Sequence, residues 1–295
     1  MSLERRATEG GARRAGPTAW LAEVSPAGRR ALVAGFAGWT LDAADFVLYL
    51  LAIPAIRADF GLDAAGAGLL ATVALLSSAV GGVLFGRIAD RIGRARALSL
   101  TVLVYSLASL GSATATGVGQ LVAWRTLLGL GLGGEWSAGS VLVAESVPAA
   151  HRGKAIGWMQ SGWAVGYLLA TLLAALVLPT LGWRWLFALG VLPATLVLWI
   201  RRRVEEPPTF RERPSGAGAG MGALVRPPLL GRTLAASALS AAVMFGYWGL
   251  FSWMPSFFAA PASEGGAGLG VVRSAGWLVP MQLGAFAGYL SFGYA

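Results

Sequence analysis

The sequence predicts an all-α protein that crosses a lipid bilayer repeatedly. Three observations carry that prediction: charge is scarce, apolar runs are long, and basic residues fall in alternate loops. Hydrophobic residues make up 56% of the 295 and charged residues 13%, about half the charged share of an ordinary soluble domain. So few charges cannot coat an aqueous surface. The 42 glycines suit closely packed membrane helices. Apolar runs near or above ~18 residues mark candidate spans, and eight occur, at 31–55, 66–87, 97–115, 119–146, 154–178, 183–200, 233–258 and 273–295.

The 23 basic residues set the orientation. Arg5, Arg6, Arg13, Arg14, Arg29 and Arg30 precede the first run. Arg87, Arg91, Arg94 and Arg96 follow the second, Arg152 and Lys154 the fourth, and Arg201, Arg202, Arg203, Arg211, Arg213, Arg226 and Arg232 the sixth. The other side has only Arg57, Arg184 and Arg273, and Arg125 lies within a run. Cytoplasmic loops carry the excess of arginine and lysine, so the N-terminus is expected in the cytoplasm. A nucleic-acid binder has no reason to alternate its charges in this way, so the net charge of +9 is not read as a nucleic-acid signal.

In chain order, residues 1–30 are Arg-rich with Gly, Ala and Pro and lack a signal-peptide core. They read as a flexible cytoplasmic tail. Residues 31–200 then form a six-helix block. Residues 201–232, with RRRVEEPPTFRERPSGAGAGMG, read as a cytoplasmic linker, and 233–295 hold two more helices. A weak repeat supports this division: VGGVLFG (80–86) is echoed by AGYLSFG (287–293), and AIPAI (52–56) by WMPSF (253–257). Two halves built from related units are a transporter plan, on which the second half here is incomplete. There is no cysteine, so disulfide, zinc-thiolate and iron–sulfur chemistry are excluded. The one histidine, His151, reads as a solvated loop residue.

The stretch RTLLGLGLGGEWSAG (125–139) holds the sharpest ambiguity. Gly129, Gly131 and Gly134 spell G-x-G-x-x-G, a dinucleotide fingerprint that needs a preceding strand and a βαβ unit. Here QLVAWRTLL runs into the glycines unbroken, so the match reads as false. Gly129 and Gly133 instead make G-x-x-x-G, which lets another helix approach closely; Gly131 belongs to the same packing stripe.

Charges inside spans cost roughly 2.5–3.5 kcal/mol each on insertion scales and mark function. Asp42 and Asp45, at i and i+3, share a helix face, and two close carboxylates in low dielectric tend to hold a proton between them. Arg125 lies roughly 9 Å deep and Asp45 roughly 15 Å deep from the same surface, close enough to meet. Glu135, roughly 15 Å along from Arg125, is a second proton site or a group that orients a solute. Each has a structural alternative: a water-filled vestibule for the aspartates, an ion pair for Arg125, and an interhelical hydrogen bond for Glu135. In GRIADRIGRARAL (86–98), Gly86 and Gly93 permit tight turns, Asp90 caps a helix N-terminus or pairs with arginines nearby, and Arg91, Arg94 and Arg96 also fix orientation. Glu145 and Arg152 of ESVPAAHRG (145–153) are partners in the same layer. Together these read as a conformational latch. Trp20, Trp183, Trp185 and Trp199 fit interfacial belts. Trp39, Trp136, Trp163, Trp248 and Trp253 lie within spans, where packing is the simpler reading and cavity lining the other.

GRIADRIGRARAL resembles the loop between helices 2 and 3 of the major facilitator superfamily. RTLLGLGLGGE resembles that superfamily's helix-4 motif, and VEEPPTF its P-E-S-type ending after helix 6. DAADFVLY, GGEWSAGSVLVAES and HRGKAIGWMQSGWAVG are similar to metabolite:proton symporters for organic acids, the sialate and monocarboxylate carriers. The resemblance implies a major facilitator fold: a six-helix N-terminal bundle plus the first two helices of a C-terminal bundle, about eight transmembrane helices. It implies a multi-pass, monomeric carrier in the cell inner membrane, with no cofactor. Small organic anions and protons are its implied partners, coupled through Asp42, Asp45, Arg125 and Glu135. Family members have twelve helices, so a truncated, non-transporting fragment of such a carrier is the alternative. A membrane-embedded enzyme using a dinucleotide is a more distant one.

Overall fold

A computed structural model describes residues 18–212, 221–227, 229–251 and 253–294. Residues 1–17 of the tail expected at 1–30, and the Gly/Ala-rich part of the linker at 213–220, lie outside the described residues. Among the described residues the regular structure is helical, with no strand.

Local chemistry sets the helix ends. Helix α1 (Pro26–Phe60) opens with proline in its first turn and with the Ser25 hydroxyl accepting from the Gly28 amide at 3.0 Å, both start signals. They lie in what reads as tail, so the helix begins five residues before the apolar run suggests. Asp63 caps α2 (Ala64–Ile92) by accepting from the Gly66 amide at 2.7 Å. Only Gly93 separates α2 from α3 (Arg94–Ala113), at φ 109°, a conformation that side chains disfavour. Gly86, expected at a turn, lies inside α2 with open space where a Cβ would stand.

Then come α4 (Val118–Ser146), α5 (Arg152–Leu181), α6 (Trp183–Leu189), α7 (Ala194–Arg203) and the short α8 (Pro208–Arg211). Beyond the linker lie α9 (Leu229–Phe251), α10 (Met254–Ala259) and α11 (Gly270–Phe292). The run at 183–200 is therefore broken in two; Pro193, which has no N–H to give, precedes α7. The run at 233–258 is divided between α9 and α10. By length and composition, seven stretches among the described residues are able to cross a membrane, with Trp183–Arg203 counted as one. Their outward leucines, such as Leu69, Leu76, Leu172 and Leu176, suit a lipid surround.

Helix α4 is the central strut, packed against α2 on one side and α3 on the other. Gly129 leaves room for the Ala74 carbonyl and the Ser77 hydroxyl, and Gly133 for the Ser78 carbonyl and Gly82. Gly81 of α2 makes the reciprocal space for the Leu130 carbonyl. Gly131 points the other way, to Thr101 and Tyr105 of α3. In lipid, where apolar surface gains little by burial, such backbone approach is the main source of helix association. Helix α1 pairs with α5, and α5 also carries α11.

Residues 19–23 form a 3-10 turn rather than a loose tail. Trp20 is buried against Val24, Val143, Val147 and Met159, and its Nε1 donates to the Tyr294 hydroxyl at 2.9 Å. The Lys154 ammonium lies 5.1 Å from the Tyr294 ring centroid. His151 is not a free loop residue: its Nε2 lies 2.9 Å from Glu23 Oε2, and its ring 5.9 Å from that of Trp20. A strap thus ties the start of the described chain to the start of α5 and the end of α11.

Gly133→Val drives methyl groups into the α2 backbone and is expected to cost about 1–3 kcal/mol, read as a lower Tm in detergent. Gly86→Ala fills open space in a helix interior and is expected to hold or raise the Tm, by about 0.5–1 kcal/mol.

Candidate functional site

Four ionisable side chains, two on α1 and two on α4, are buried within the bundle. Asp42 and Asp45 are 3% and 2% exposed, and Arg125 and Glu135 are fully buried. The structure sorts them into two groups. Asp45 accepts a hydrogen bond from the Ser109 hydroxyl of α3. Gly190, at the end of α6, leaves the space this pair occupies. Asp45 and Arg125 attract each other without a direct ion pair among the described residues. The Arg125 guanidinium lies 4.1 Å from the Tyr49 ring centroid and 5.9 Å from that of Phe187, and such a desolvated cation–π contact is worth about 2 kcal/mol. None of its three nitrogens has a hydrogen-bond partner among the described residues, and neither has Asp45 Oδ2.

Asp42 turns elsewhere. It is coupled electrostatically to Glu135 and Asp45, and its Oδ1 has no hydrogen-bond partner among the described residues. The two aspartates share a helix face but no hydrogen bond between them is found. Glu135 accepts from the Thr101 hydroxyl at 3.2 Å, and its carboxylate rests on Gly38 of α1, where a Cβ would collide with it.

Asp42 lines a cavity of about 470 Å³, within the range of small-molecule sites. Helices α1, α2, α4 and α5 wall it on one side, α9 and α11 on the other. Trp39, Phe46, Trp136, Trp163 and Trp248 all face it. Packing alone therefore does not describe these four tryptophans. Trp253, by contrast, is exposed. Arg125 is not among the lining residues; it sits within the bundle, beneath Tyr49.

A second cluster joins the α2–α3 turn to α4 and the linker. Buried Arg94 reaches Asp90 at 3.1 Å and Glu145 at 3.0 Å, and donates to the Ala89 carbonyl at 2.9 Å. Phe210 of α8 lies 5.0 Å from its guanidinium. Asp90 therefore pairs with Arg94 rather than capping a helix. Glu206 takes the capping role, accepting from the amides of Arg94 (2.6 Å), Ala95 (3.2 Å) and Arg96 (3.2 Å). Gly93 leaves the room for it. Arg152, expected to partner Glu145, instead begins α5; it and Arg91 are exposed and make no side-chain hydrogen bond or ion pair among the described residues. Sequence reading missed Glu206, Gly38 and Gly190. The signal for Glu206 was the pair of acids followed by two prolines, which fix the chain beside the α3 N-terminus.

The G-x-G-x-x-G lies wholly inside α4 with every glycine against a neighbouring helix, which leaves no open turn for a dinucleotide. The sequence pattern of the Major Facilitator Superfamily matches residues 34–294. The chain is 40% identical over 244 residues to the protein named "Probable 4-methylmuconolactone transporter" of Cupriavidus pinatubonensis, covering 81% of this chain and 57% of that one. It is 29% identical over 277 residues to the sialic acid transporter NanX of Escherichia coli K12, covering 94% and 67%. Those relatives carry the names of transporters, not enzymes. This chain spans 57% and 67% of their lengths. In fold it is similar to the crystal structure of the human organic anion transporter MFSD10, with a TM-score of 0.65 at 18% identity, covering 91% of this chain and 73% of that one.

Glu206→Ala removes the acceptor of three amides. Loss of a cap costs about 0.5–2 kcal/mol, expected as a lower Tm in detergent, with Glu206→Gln recovering most of the loss.

Proposed function

This chain belongs to the Major Facilitator Superfamily, and from that premise we propose that it works as a proton-coupled secondary carrier of a small organic acid. The observation that carries the reading is the set of three carboxylates and one guanidinium kept from water in the N-terminal bundle, beside a chamber of solute size. Charge held at membrane depth persists where it serves a pathway. The relatives' names, for a muconolactone and for sialic acid, support the substrate class.

In this reading Asp45 is the proton carrier and Arg125 its counter-charge. With the proton absent, Asp45 attracts the guanidinium; with it present the attraction is gone, and Arg125 keeps only its aromatic contacts with Tyr49 and Phe187. Two charge states of Asp45, beside one fixed guanidinium, bias two states of the bundle. Asp42 and Glu135 line the path from that pair towards the chamber. Residues 31–200 form one rocking unit and 233–295 belong to the other, joined through the linker at 201–232. The cluster of Arg94, Asp90, Glu145 and Glu206 latches the ends of the first unit. Arginine placement supports a multi-pass topology in the cytoplasmic membrane with those ends inside, and the carrier is read as a monomer.

Uptake of a labelled carboxylate into proteoliposomes, driven by an imposed pH gradient, tests the reading. Asp45→Asn and Arg125→Ala are each expected to lower gradient-driven accumulation at least about tenfold, the size of one lost charge interaction of 1.4 kcal/mol. Intact uptake with unchanged pH dependence in both variants overturns it.

Orientation is tested separately on a background that has no native cysteine. Thr209→Cys is expected to resist an impermeant thiol reagent in whole cells and to react in inverted vesicles. The reverse result overturns the orientation.

A further inference from the structure

The chamber has a chemical bias that a carrier for organic acids has to reconcile. Its walls are aromatic: the Trp39 and Trp163 ring centroids are 5.2 Å apart, Trp163 and Trp248 lie edge-on at 5.7 Å, and Phe46 is 4.9 Å from Trp248. Such rings favour a flat, unsaturated body over a branched aliphatic one. The polar lining is Asp42 together with neutral groups: Gln160, Ser78, Ser240, Tyr247 and Tyr289. No lysine or arginine lines it among the described residues. A cargo carboxylate entering the chamber therefore meets another carboxylate, almost fully buried, with one oxygen lacking a partner among the described residues.

Resting on the carrier reading, we propose that the chamber binds a flat unsaturated carboxylic acid whose carboxyl group shares one proton with Asp42, so that cargo brings a proton of its own to the chamber beside the one carried at Asp45. Two carboxylates at hydrogen-bond distance in low dielectric retain a single proton between them. Water on the loading side supplies that proton, and an O–H···O bond forms between cargo and Asp42. The pair then carries one negative charge instead of two. On the side with fewer protons the proton returns to water, the bond breaks and the two anions part. The other titratable groups facing Asp42 are Asp45 on its own helix, Glu135 from α4, Tyr105 from α3, and Tyr247 and Tyr289 across the chamber from α9 and α11. Helices α2 and α5 present only neutral groups to the chamber. Glu135 does not line it, and Arg125 lies beside Asp45, so Asp42 is the acid that cargo touches. Arg125 has no reach to cargo here; its counter-charge acts on Asp45.

The test is equilibrium binding to the purified chain in detergent, followed by quenching of tryptophan fluorescence. The probes are benzoate, which stays ionised in water above pH 6, and benzamide, its uncharged analogue. Benzoate is expected to bind more tightly as pH falls from 10 to 6, rising to about tenfold per unit wherever Asp42 is ionised before cargo arrives, the signature of one proton taken up on binding; benzamide is expected to show no such slope. Asp42→Asn offers an amide N–H in place of the shared proton, so its benzoate affinity is expected to be flat with pH. Trp163→Leu is expected to weaken both probes about 3–10-fold and to leave the benzoate slope in place. A flat benzoate profile in the unmodified chain, or the same slope in Asp42→Asn, overturns the shared proton. Gradient-driven uptake that persists alongside either result leaves the carrier reading standing. Absence of binding by both probes at every pH, with no uptake, overturns both.

Discussion

Hydrocarbon supplies no partner to a charge, so the contacts that Arg125, Glu135, Asp42 and Asp45 make away from water have to come from the bundle itself. It supplies them by bringing backbones together. Gly129 and Gly133 let α4 lie on α2, Gly131 lets it lie on α3, and Gly38 lets the Glu135 carboxylate press on α1. Only at such close approach do Tyr49, Ser109 and Thr101 come within range of the charges. Packing and electrostatics are one constraint here: widening any of these crossings leaves a charge without its partner.

Helix α4 also links the layers of the molecule. Arg125, Glu135 and Glu145 follow one another at intervals of ten residues, roughly 15 Å each. The first is paired loosely with Asp45, the second rests between α1 and α3, and the third holds Arg94 at the α2–α3 turn. A tilt or slide of α4 alters all three contacts together. Helix α4 thereby connects the buried charges of the bundle to the cluster at the α2–α3 turn.

The helical, membrane-crossing nature of the chain was legible because lipid imposes it through composition, run length and arginine placement, which are additive along the sequence. The G-x-x-x-G was legible for the same reason, since small residues at that spacing have one main use in lipid. What was not legible depends on distant segments meeting. Asp42 and Asp45 share a helical face, yet α3 and α4 draw one towards Ser109 and Arg125 while the chamber takes the other. Glu145 pairs with the buried Arg94 of α3, distant in sequence, while Arg152, seven residues on, is exposed. Gly190 and Gly38 look like any other glycines until the acid that fills each space is known. The tryptophans were ambiguous in the same way, because an indole that packs and an indole that lines a cavity have identical neighbours in sequence.

The contact between Trp20 and Tyr294 joins residues 274 positions apart. The indole leaves the ribosome first and has no acceptor until the last described helix is made and inserted. Every intervening segment has by then chosen its side of the membrane. Closure of that bond therefore waits on every span between the two residues, and a chain in which an odd number of those spans fails to cross has Trp20 and Tyr294 on opposite sides of the bilayer, where they do not meet.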